Sequence, residues 1–374
     1  MSSISPNMFL VGVFLLLFLF TTALSLIIPA AARRDILFGV TAPPNTRTNP
    51  VGRRIIRTYN LGVIALALLG VAASLAVWYF QPPSWEFLLI LVAAGFMVVL
   101  GSVPYLLAYL QAHRLAQNAR AQGWRPEESA PPVAELRPRR YSDYIPWYWQ
   151  SLPLALIGAT VAYLAYTYPA APDPFPTHFD INGNPNAFSP KSIGSYFLIV
   201  VVQVFVWALI TILTVLVVRA KSLPGREETG FKRAILRFLF AVKALAIGFM
   251  GVVGAASAYA AANATPLPAW FLGVTIGYIV VIFALVIILT VRVSARSARL
   301  QLADASTTDR LDDSHWFLGT IYINRDDPSI FVERRFGIGW TINFGSVGGL
   351  LTMVVLLAVA ILFPIGVVLL ANQR

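Results

Sequence analysis

A chain of 374 residues, of which 57% are hydrophobic and only 12% are charged, lies outside the composition range of soluble globular proteins. The net charge of +11 does not indicate nucleic-acid binding, because basic residues on the loops of a membrane protein set its topology. We therefore expect no nucleic-acid partner. The absence of cysteine excludes disulfides, thiolate metal sites and cysteine nucleophiles.

The apolar residues are concentrated in eight long blocks. A helix needs about 20 apolar residues to cross a bilayer core of about 30 Å, and each block is close to that length. The blocks cover residues 8–29, 59–80, 86–109, 150–168, 195–218, 236–261, 270–291 and 345–370. The sequence therefore predicts an all-α integral membrane protein, a bundle of eight transmembrane helices in the lipid bilayer. We expect the first helix to be retained and not cleaved as a signal peptide.

The basic residues alternate between the connections. Apart from Lys191, Lys243 and Arg374, every Lys and Arg lies in or beside the connections that follow blocks one, three, five and seven. Since basic loops stay on the cytoplasmic side, these four connections are predicted to face inward and both chain termini outward.

The connection before the last block predicts a small cytoplasmic module. The seventh helix is expected to continue through Arg299, and segments 316–323 and 329–332 are typical of two strands joined into a β-hairpin by the turn at 324–328. Its acidic residues and His315 are compatible with a divalent metal site or with turn capping. The predicted segments of the chain are 1–149, 150–218, 219–291, 292–345 and 346–374.

The connection at 169–194 is the only sizeable outward one, and it holds the candidate ligand-binding residues His178, Asp180, Asn182 and Lys191. In an extended segment His178 and Asp180 point to the same side, and together with Lys191 they suit a zwitterionic or peptide ligand. The alternative is a self-bonded turn at Asp180, because Asn-Gly and Asn-Pro pairs follow it. Two ligands from one short loop do not fill a coordination sphere, so no metal site is predicted.

Two polar residues lie inside predicted spans. Lys243 is close enough to the inward end of its helix for its ammonium to reach the surface along the lipid-facing side. The alternative is that Lys243 faces the bundle and binds an anion or carbonyl groups. Gln203 is then its polar neighbour, or it makes a helix-packing hydrogen bond.

Common catalytic and nucleotide-binding motifs are absent from the sequence. It contains no metal-binding His-Glu-x-x-His, no nucleophile elbow, no P-loop and no dinucleotide fingerprint. No catalytic residue and no cofactor are predicted, although a Ser-Lys pair that uses Lys243 stays open.

Two segments resemble known families. The outward loop resembles the domain of unknown function 1648 (DUF1648), through Pro176, His178, Phe179, Asp180, Gly183, Pro185 and Lys191. The inward segment resembles a second family of unknown function (DUF5808), through Tyr322, Asn324, Asp327, Pro328, Phe331, Val332, Gly339, Asn343, Phe344 and Gly345. The best-known relatives of the first family are immunity and signalling proteins against a secreted peptide toxin of sporulating bacteria. The resemblance implies a bacterial plasma (inner) membrane and an extracellular peptide or envelope ligand.

We expect a non-enzymatic receptor or immunity-type protein that senses or neutralises this ligand through the outward loop and contacts a cytoplasmic protein through its basic inward loops. The alternative is a transporter of a small or peptide-like solute, with Lys243 and Gln203 lining the path. An intramembrane enzyme is the third interpretation.

Overall fold

The computed structural model describes residues 6–31, 35–43, 45–82, 84–125, 146–180, 183–219, 228–300, 312–336 and 339–371, and most of them are helical. The helices are α1 (Pro6–Ala31), α2 (Pro50–Phe80), α3 (Trp85–Ala121), α4 (Ser151–Thr167), the single turn α5 (Ile193–Tyr196), α6 (Leu198–Arg219), α7 (Glu228–Asn263), α8 (Trp270–Leu300) and α9 (Val347–Ala371). The strands are β1 (Ile36–Leu37), β2 (Val40–Thr41), β3 (Phe175–Phe179), β4 (Pro185–Ser189), β5 (Trp316–Phe317), β6 (Ile321–Tyr322), β7 (Phe331–Glu333) and β8 (Trp340–Ile342).

Seven helices in the described part of the chain are long and apolar enough to cross a membrane, so the chain is a multi-pass membrane protein. They lie in α2, α3, α4 with its flanking 3₁₀ turns, α6, α7, α8 and α9. The described apolar stretch of α1, Val11–Ile27, is shorter than these seven. The eighth span and the outward position of both termini therefore stay predictions.

Several helices extend beyond the apolar blocks. Helix α2 begins at Pro50, earlier than the predicted residue 59, because the Asn49 side chain accepts a hydrogen bond of 2.8 Å from the Gly52 N–H and proline suits the first helical position. Helix α8 continues to Leu300, which confirms the predicted extension through Arg299.

The strands differ from the single hairpin predicted for residues 292–345, a segment that we call the inward module after its predicted side. Strand β5 pairs antiparallel with β6 and strand β7 with β8, so the module has two consecutive hairpins and the predicted pairing of 316–323 with 329–332 is wrong. A parallel bridge from Tyr322 to Asn343 joins them. Two further hairpins, β1–β2 and β3–β4, were not predicted.

One asparagine side chain connects the two hairpins of the inward module. The Asn343 amide is fully enclosed and donates to the carbonyls of Asn324 at 2.8 Å and Asp327 at 2.7 Å. Its oxygen accepts from the N–H groups of Asn324 at 3.0 Å and Gly345 at 2.9 Å. All four hydrogen-bonding positions of this buried amide are occupied, which fixes the arrangement of the turns around it.

The chain forms two compact units. The first unit comprises Met1–Leu136, Ala220–Glu228 and Val286–Leu350, and the second comprises Arg137–Arg219, Thr229–Leu285 and Leu351–Arg374. In the first unit, the β1–β2 hairpin, α2, α3 and Phe336 share one apolar core. In the second, α4, α6, α7 and strand β3 contribute to the core cluster that contains Leu164, Phe175 and Tyr196.

Candidate functional site

The predicted outward loop folds as the β3–β4 hairpin, whose turn is held by Asp180. The Asp180 carboxylate accepts a 2.8 Å hydrogen bond from the Asn184 N–H, and the Asp180 carbonyl accepts one of 2.9 Å from the Gly183 N–H. The Gly183 carbonyl in turn accepts from the Leu267 N–H at 2.8 Å, so the turn is tied to the loop after α7. The Asp180 side chain therefore has the turn-stabilising contacts of the alternative interpretation, and its ligand role stays a prediction.

The His178 ring lies on the exposed side of the same hairpin. Its Nδ1 is 2.5 Å from the Asn186 side-chain oxygen on the facing strand. His178 is in strand β3 and Asp180 directly follows that strand, and each side chain has its own neighbour on the facing side of the hairpin. Their joint role in ligand binding stays a prediction. The predicted ligand residue Asn182 lies outside the described residues.

Lys191 follows the hairpin and fastens it to the end of α4. Its ammonium donates to the carbonyls of Ala171 at 2.7 Å and Pro169 at 3.5 Å, and it lies 4.9 Å from the centre of the Tyr168 ring. Its N–H donates to the Asp173 carboxylate at 2.9 Å. A cation suits this position because the last carbonyls of a helix carry partial negative charge. This structural role was not predicted, since its acceptors are backbone atoms that the sequence does not distinguish.

We expect Lys191→Met to lower the free energy of unfolding by about 1–2 kcal/mol, because hydrogen bonds from a charged donor to two carbonyls are lost. Thermal unfolding of the purified protein in detergent measures this. His178→Ala is the matched control within the hairpin, and its effect should stay within about 0.5 kcal/mol, as is usual for an exposed side chain. If Lys191→Met were as stable as the wild type, the structural role of Lys191 would be contradicted and only its predicted ligand role would remain.

Beneath the hairpin lies a partly open cavity of about 230 Å³, lined by residues of β3, α4, α5, α6 and α7. Its walls are mainly apolar, with Phe175, Ile199 and Ala258 among them, and the hydroxyls of Thr177 and Ser257 also line it. A mostly apolar concave site with few polar groups is the usual form of a small-ligand site. The hairpin that carries the predicted ligand residues is therefore also one wall of this cavity.

One helical turn below the cavity, the Gln203 amide crosses between three helices. Its nitrogen donates to Thr160 Oγ1 on α4 at 3.1 Å and to the Ile247 carbonyl on α7 at 2.9 Å. Gly251 is adjacent, and a Cβ there would lie 2.8 Å from Thr160 Oγ1, so only glycine leaves room for the bond. Gln203 therefore makes the helix-packing hydrogen bonds of one predicted alternative, and its partners do not include Lys243.

Lys243 is completely enclosed, with 0% of its surface exposed, so it does not reach the interface along a lipid-facing side. Its ammonium donates to Gln150 Oε1 at 2.5 Å and to Thr211 Oγ1 at 3.3 Å. Gln150 ends the 3₁₀ turn that precedes α4, at the predicted inward end of that helix. Lys243 thus faces the bundle, which is the second of the predicted alternatives.

A second polar cluster lies in the first unit, and sequence reasoning missed it. It consists of Thr41, Arg120, Asp313 and Arg335, and we call it the Asp313 cluster. The Asp313 carboxylate accepts from Arg335 at 2.7 Å, Arg120 at 2.5 Å and the Thr41 hydroxyl at 3.0 Å. Arg335 also donates to the Thr41 hydroxyl, and its side chain has 0% exposure. The cluster fastens the inward module to β2 and α3.

The ionisation of Asp313 follows from these partners. Burial alone would raise the pKa of Asp313, but attraction to Arg335 and the hydrogen bonds from Thr41 and Arg335 together hold this pKa below its ordinary value. The neighbouring Asp312 instead accepts from the N–H and the hydroxyl of Ser314, at 3.1 and 2.8 Å. Among the residues that the structure describes, no group of three His, Cys, Asp or Glu could hold a metal ion.

Comparison with known families identifies both regions. The family model described as domain of unknown function (DUF1648) matches residues 155–204, and the one described as family of unknown function (DUF5808) matches residues 325–350. The two predicted resemblances are confirmed. The first match covers the Thr160 and Gln203 positions, the β3–β4 hairpin and part of the cavity wall, and the second covers Arg335 and Asn343. No curated protein and no solved structure matches the chain.

Proposed function

We propose that this multi-pass membrane protein is a non-enzymatic receptor or immunity-type protein of the bacterial plasma membrane, which binds an extracellular peptide or envelope ligand. The observation that carries the proposal is the apolar cavity under the β3–β4 hairpin. An apolar side chain or lipid-like tail of the ligand would occupy this cavity, and the hairpin residues His178 and Asp180 would contact its polar part. The resemblance of the hairpin region to the first family, DUF1648, with its immunity and signalling relatives, supports the same class.

The cavity suits a partner that arrives from outside. Its walls belong to the predicted outward ends of α4, α6 and α7 and to the predicted outward hairpin. The Ser257 hydroxyl has no hydrogen-bond partner among the described residues and lines the cavity, so it is available to orient a bound group. Cavities of this kind bind through buried apolar area, while a few polar groups set the orientation of the ligand.

Thiol labelling tests this proposal, because the natural chain has no cysteine. We expect Ser257→Cys to react with an impermeant maleimide added to intact cells, and a short peptide amide of phenylalanine and leucine to slow the reaction several-fold. A serine peptide of equal length should have no effect. Thr211→Cys, beside Lys243 and outside the cavity, is the control and should react much more slowly. Absence of outside labelling, or labelling unaffected by the apolar peptide, would contradict the proposal.

A transporter of a small or peptide-like solute is the second candidate. The observation that favours it is the pair of polar layers inside the second unit, at Gln203 and at Lys243. Uptake or efflux in proteoliposomes distinguishes the two functions, since a receptor binds the apolar peptide without moving it across the bilayer.

His178→Ala should weaken binding in the receptor and leave folding intact.

An intramembrane enzyme is the third candidate, and the contact that bears on it is between Lys243 and the Thr211 hydroxyl at 3.3 Å. That hydroxyl donates its proton to the Trp207 carbonyl at 2.6 Å, and the cavity walls do not include it. A nucleophile needs its proton near a base and its oxygen near substrate, so this geometry favours a structural hydroxyl.

A further inference from the structure

The β5–β6 hairpin has one buried face and one exposed apolar face. Trp316 and Tyr322 face each other across the two strands and are buried. The opposite face carries the paired residues Phe317 and Ile321, which are 59% and 36% exposed, and Ile323 directly after β6, which is 46% exposed. Successive strand residues point to opposite sides, and the outward side of a hairpin in water is usually polar. Three large apolar side chains on this side therefore indicate a non-aqueous neighbour.

The turn of this hairpin is bonded to α3 at the depth of a membrane boundary. The Tyr105 hydroxyl donates to the Leu318 carbonyl, in the turn between β5 and β6, at 2.8 Å. Between Glu86 and Arg114, α3 has no Asp, Glu, Lys or Arg. This stretch is about 40 Å of helix, close to the about 40–45 Å of a bilayer with its headgroups. Tyr105 lies about 13 Å before Arg114, which is near this edge of the hydrocarbon core, where tyrosine is enriched.

A second span indicates the same depth for the hairpin. The Phe344 N–H donates to the Tyr322 carbonyl at 2.9 Å, and Ile323 is the next residue along the chain. The apolar span in α9 begins at Val347, just after Phe344. The exposed apolar face is thus attached at the end of one span through Tyr105 and at the start of another through Phe344.

The chain that leads into β5 comes from farther out. Asp313, which precedes β5, accepts a hydrogen bond of 2.5 Å from Arg120 on α3. Arg120 lies about 22 Å beyond Tyr105 along this helix. The chain therefore runs along α3 from the Asp313 cluster towards the bilayer and comes closest to the bilayer at the turn of the hairpin. Ser314, next to Asp313, is an exposed residue at the far end of this path.

We propose that the β5–β6 hairpin is an interfacial membrane anchor, in which Phe317, Ile321 and Ile323 insert between the phospholipids of the adjacent leaflet. Burial of apolar surface at the boundary of the acyl chains drives this insertion. The three side chains carry no charge, so the face recognises the acyl chains and not a particular headgroup. The anchor holds the inward module against the membrane surface, and it does not depend on the proposed receptor function.

Fluorescence quenching in phosphatidylcholine nanodiscs tests this proposal, because single cysteines can be placed in a chain that has none. Phe317→Cys and Ile321→Cys each carry the environment-sensitive fluorophore NBD. We expect a blue-shifted emission at both positions, strong quenching by phosphatidylcholine with a nitroxide on its acyl chain, and little quenching by aqueous iodide. Ser314→Cys with the same label is the matched control. Its quenching by the nitroxide lipid should be several-fold weaker and its quenching by iodide several-fold stronger.

Two results would overturn the proposal. If iodide quenches the labels at 317 and 321 as strongly as the label at 314, the apolar face lies in water. If neither iodide nor the nitroxide lipid quenches them, protein covers the face, either a second copy of the chain or another partner. Both substitutions replace exposed side chains, so the fold should be retained, and Ile323→Cys gives a third position on the same face if one variant fails to fold.

Discussion

Asp313→Asn is expected to lower the free energy of unfolding by about 3–5 kcal/mol, the usual cost of removing one partner of a buried ion pair. The reason is that Arg335, with 0% side-chain exposure, would keep its charge and lose the ion pair of 2.7 Å with the Asp313 carboxylate. Arg120 would lose the same partner, but it is one-third exposed and water compensates it. The large effect therefore comes from Arg335.

The adjacent carboxylate provides the matched control for this prediction. Asp312→Asn removes a charge one residue earlier, where the side chain bonds Ser314 at the start of a 3₁₀ turn, and should cost about 1 kcal/mol or less. Ala42 is nearly enclosed in the core of the first unit, so a cysteine there reports on the opening of this core. In variants that also carry Ala42→Cys, loosening of the module should raise the rate of thiol labelling. A labelling rate in Asp313→Asn equal to that in Asp312→Asn would show that the cluster does not hold the module.

The same ion pair sets a pH dependence whose direction follows from the lowered pKa of Asp313. A carboxyl whose pKa is lower in the folded than in the unfolded state stabilises the fold above its ordinary pKa of about 4, and this contribution is lost as pH falls through the folded pKa. Trp316 reports on the event, because the Arg335 guanidinium lies 5.6 Å from its ring. The wild type should show an acid transition in tryptophan fluorescence that Asp313→Asn lacks.

The seven described spans could be predicted because crossing a bilayer demands only length and hydropathy, which are local properties of the sequence. The Asp313 cluster could not be predicted, since its members come from β2, the end of α3 and two points of the inward module. The rule that basic loops stay on the cytoplasmic side also gave no reason to expect this cluster. Arg120 and Arg335 both satisfied the expectation for inward loops, and nothing in the sequence separates a topological arginine from one that is enclosed beside a carboxylate.

The predicted outward loop shows the same limit at a smaller scale. The self-bonded turn at Asp180 could be predicted from the Asn-Gly and Asn-Pro pairs that follow it. His178 lies in strand β3, directly before this turn. The cavity wall was not predictable, because it is made by apolar residues that the sequence shows only as parts of spans. The enclosed state of Lys243 was one of two open alternatives, since depth along a helix does not reveal which neighbour the side chain faces.

Gly39→Ala is expected to destabilise the first unit by about 3 kcal/mol or more, through a clash together with backbone strain. Gly39 occupies the β1–β2 turn at φ +81°, and a Cβ there would lie 2.7 Å from Gly319 Cα. Gly319 occupies the β5–β6 turn at φ +67°, so two tight turns meet glycine to glycine. The Tyr105 hydroxyl donates to the Leu318 carbonyl at 2.8 Å beside this contact, which leaves the turns no room to separate.

Gly123→Ala separates the two causes. Gly123 has φ +96°, but a Cβ at that position would meet nothing within 4 Å, so the variant carries only the backbone strain of about 1–2 kcal/mol. Thermal unfolding should therefore rank Gly39→Ala and Gly319→Ala well below Gly123→Ala in stability.

The double variant at Gly39 and Gly319 gives the sharper result. If one close contact joins the two turns, the first substitution already opens this contact and the second adds little. The loss of stability in the double variant should then be clearly smaller than the sum of the losses in the two single variants. Full additivity would mean that each turn is strained alone and that the glycine contact does not hold the inward module to the β1–β2 hairpin.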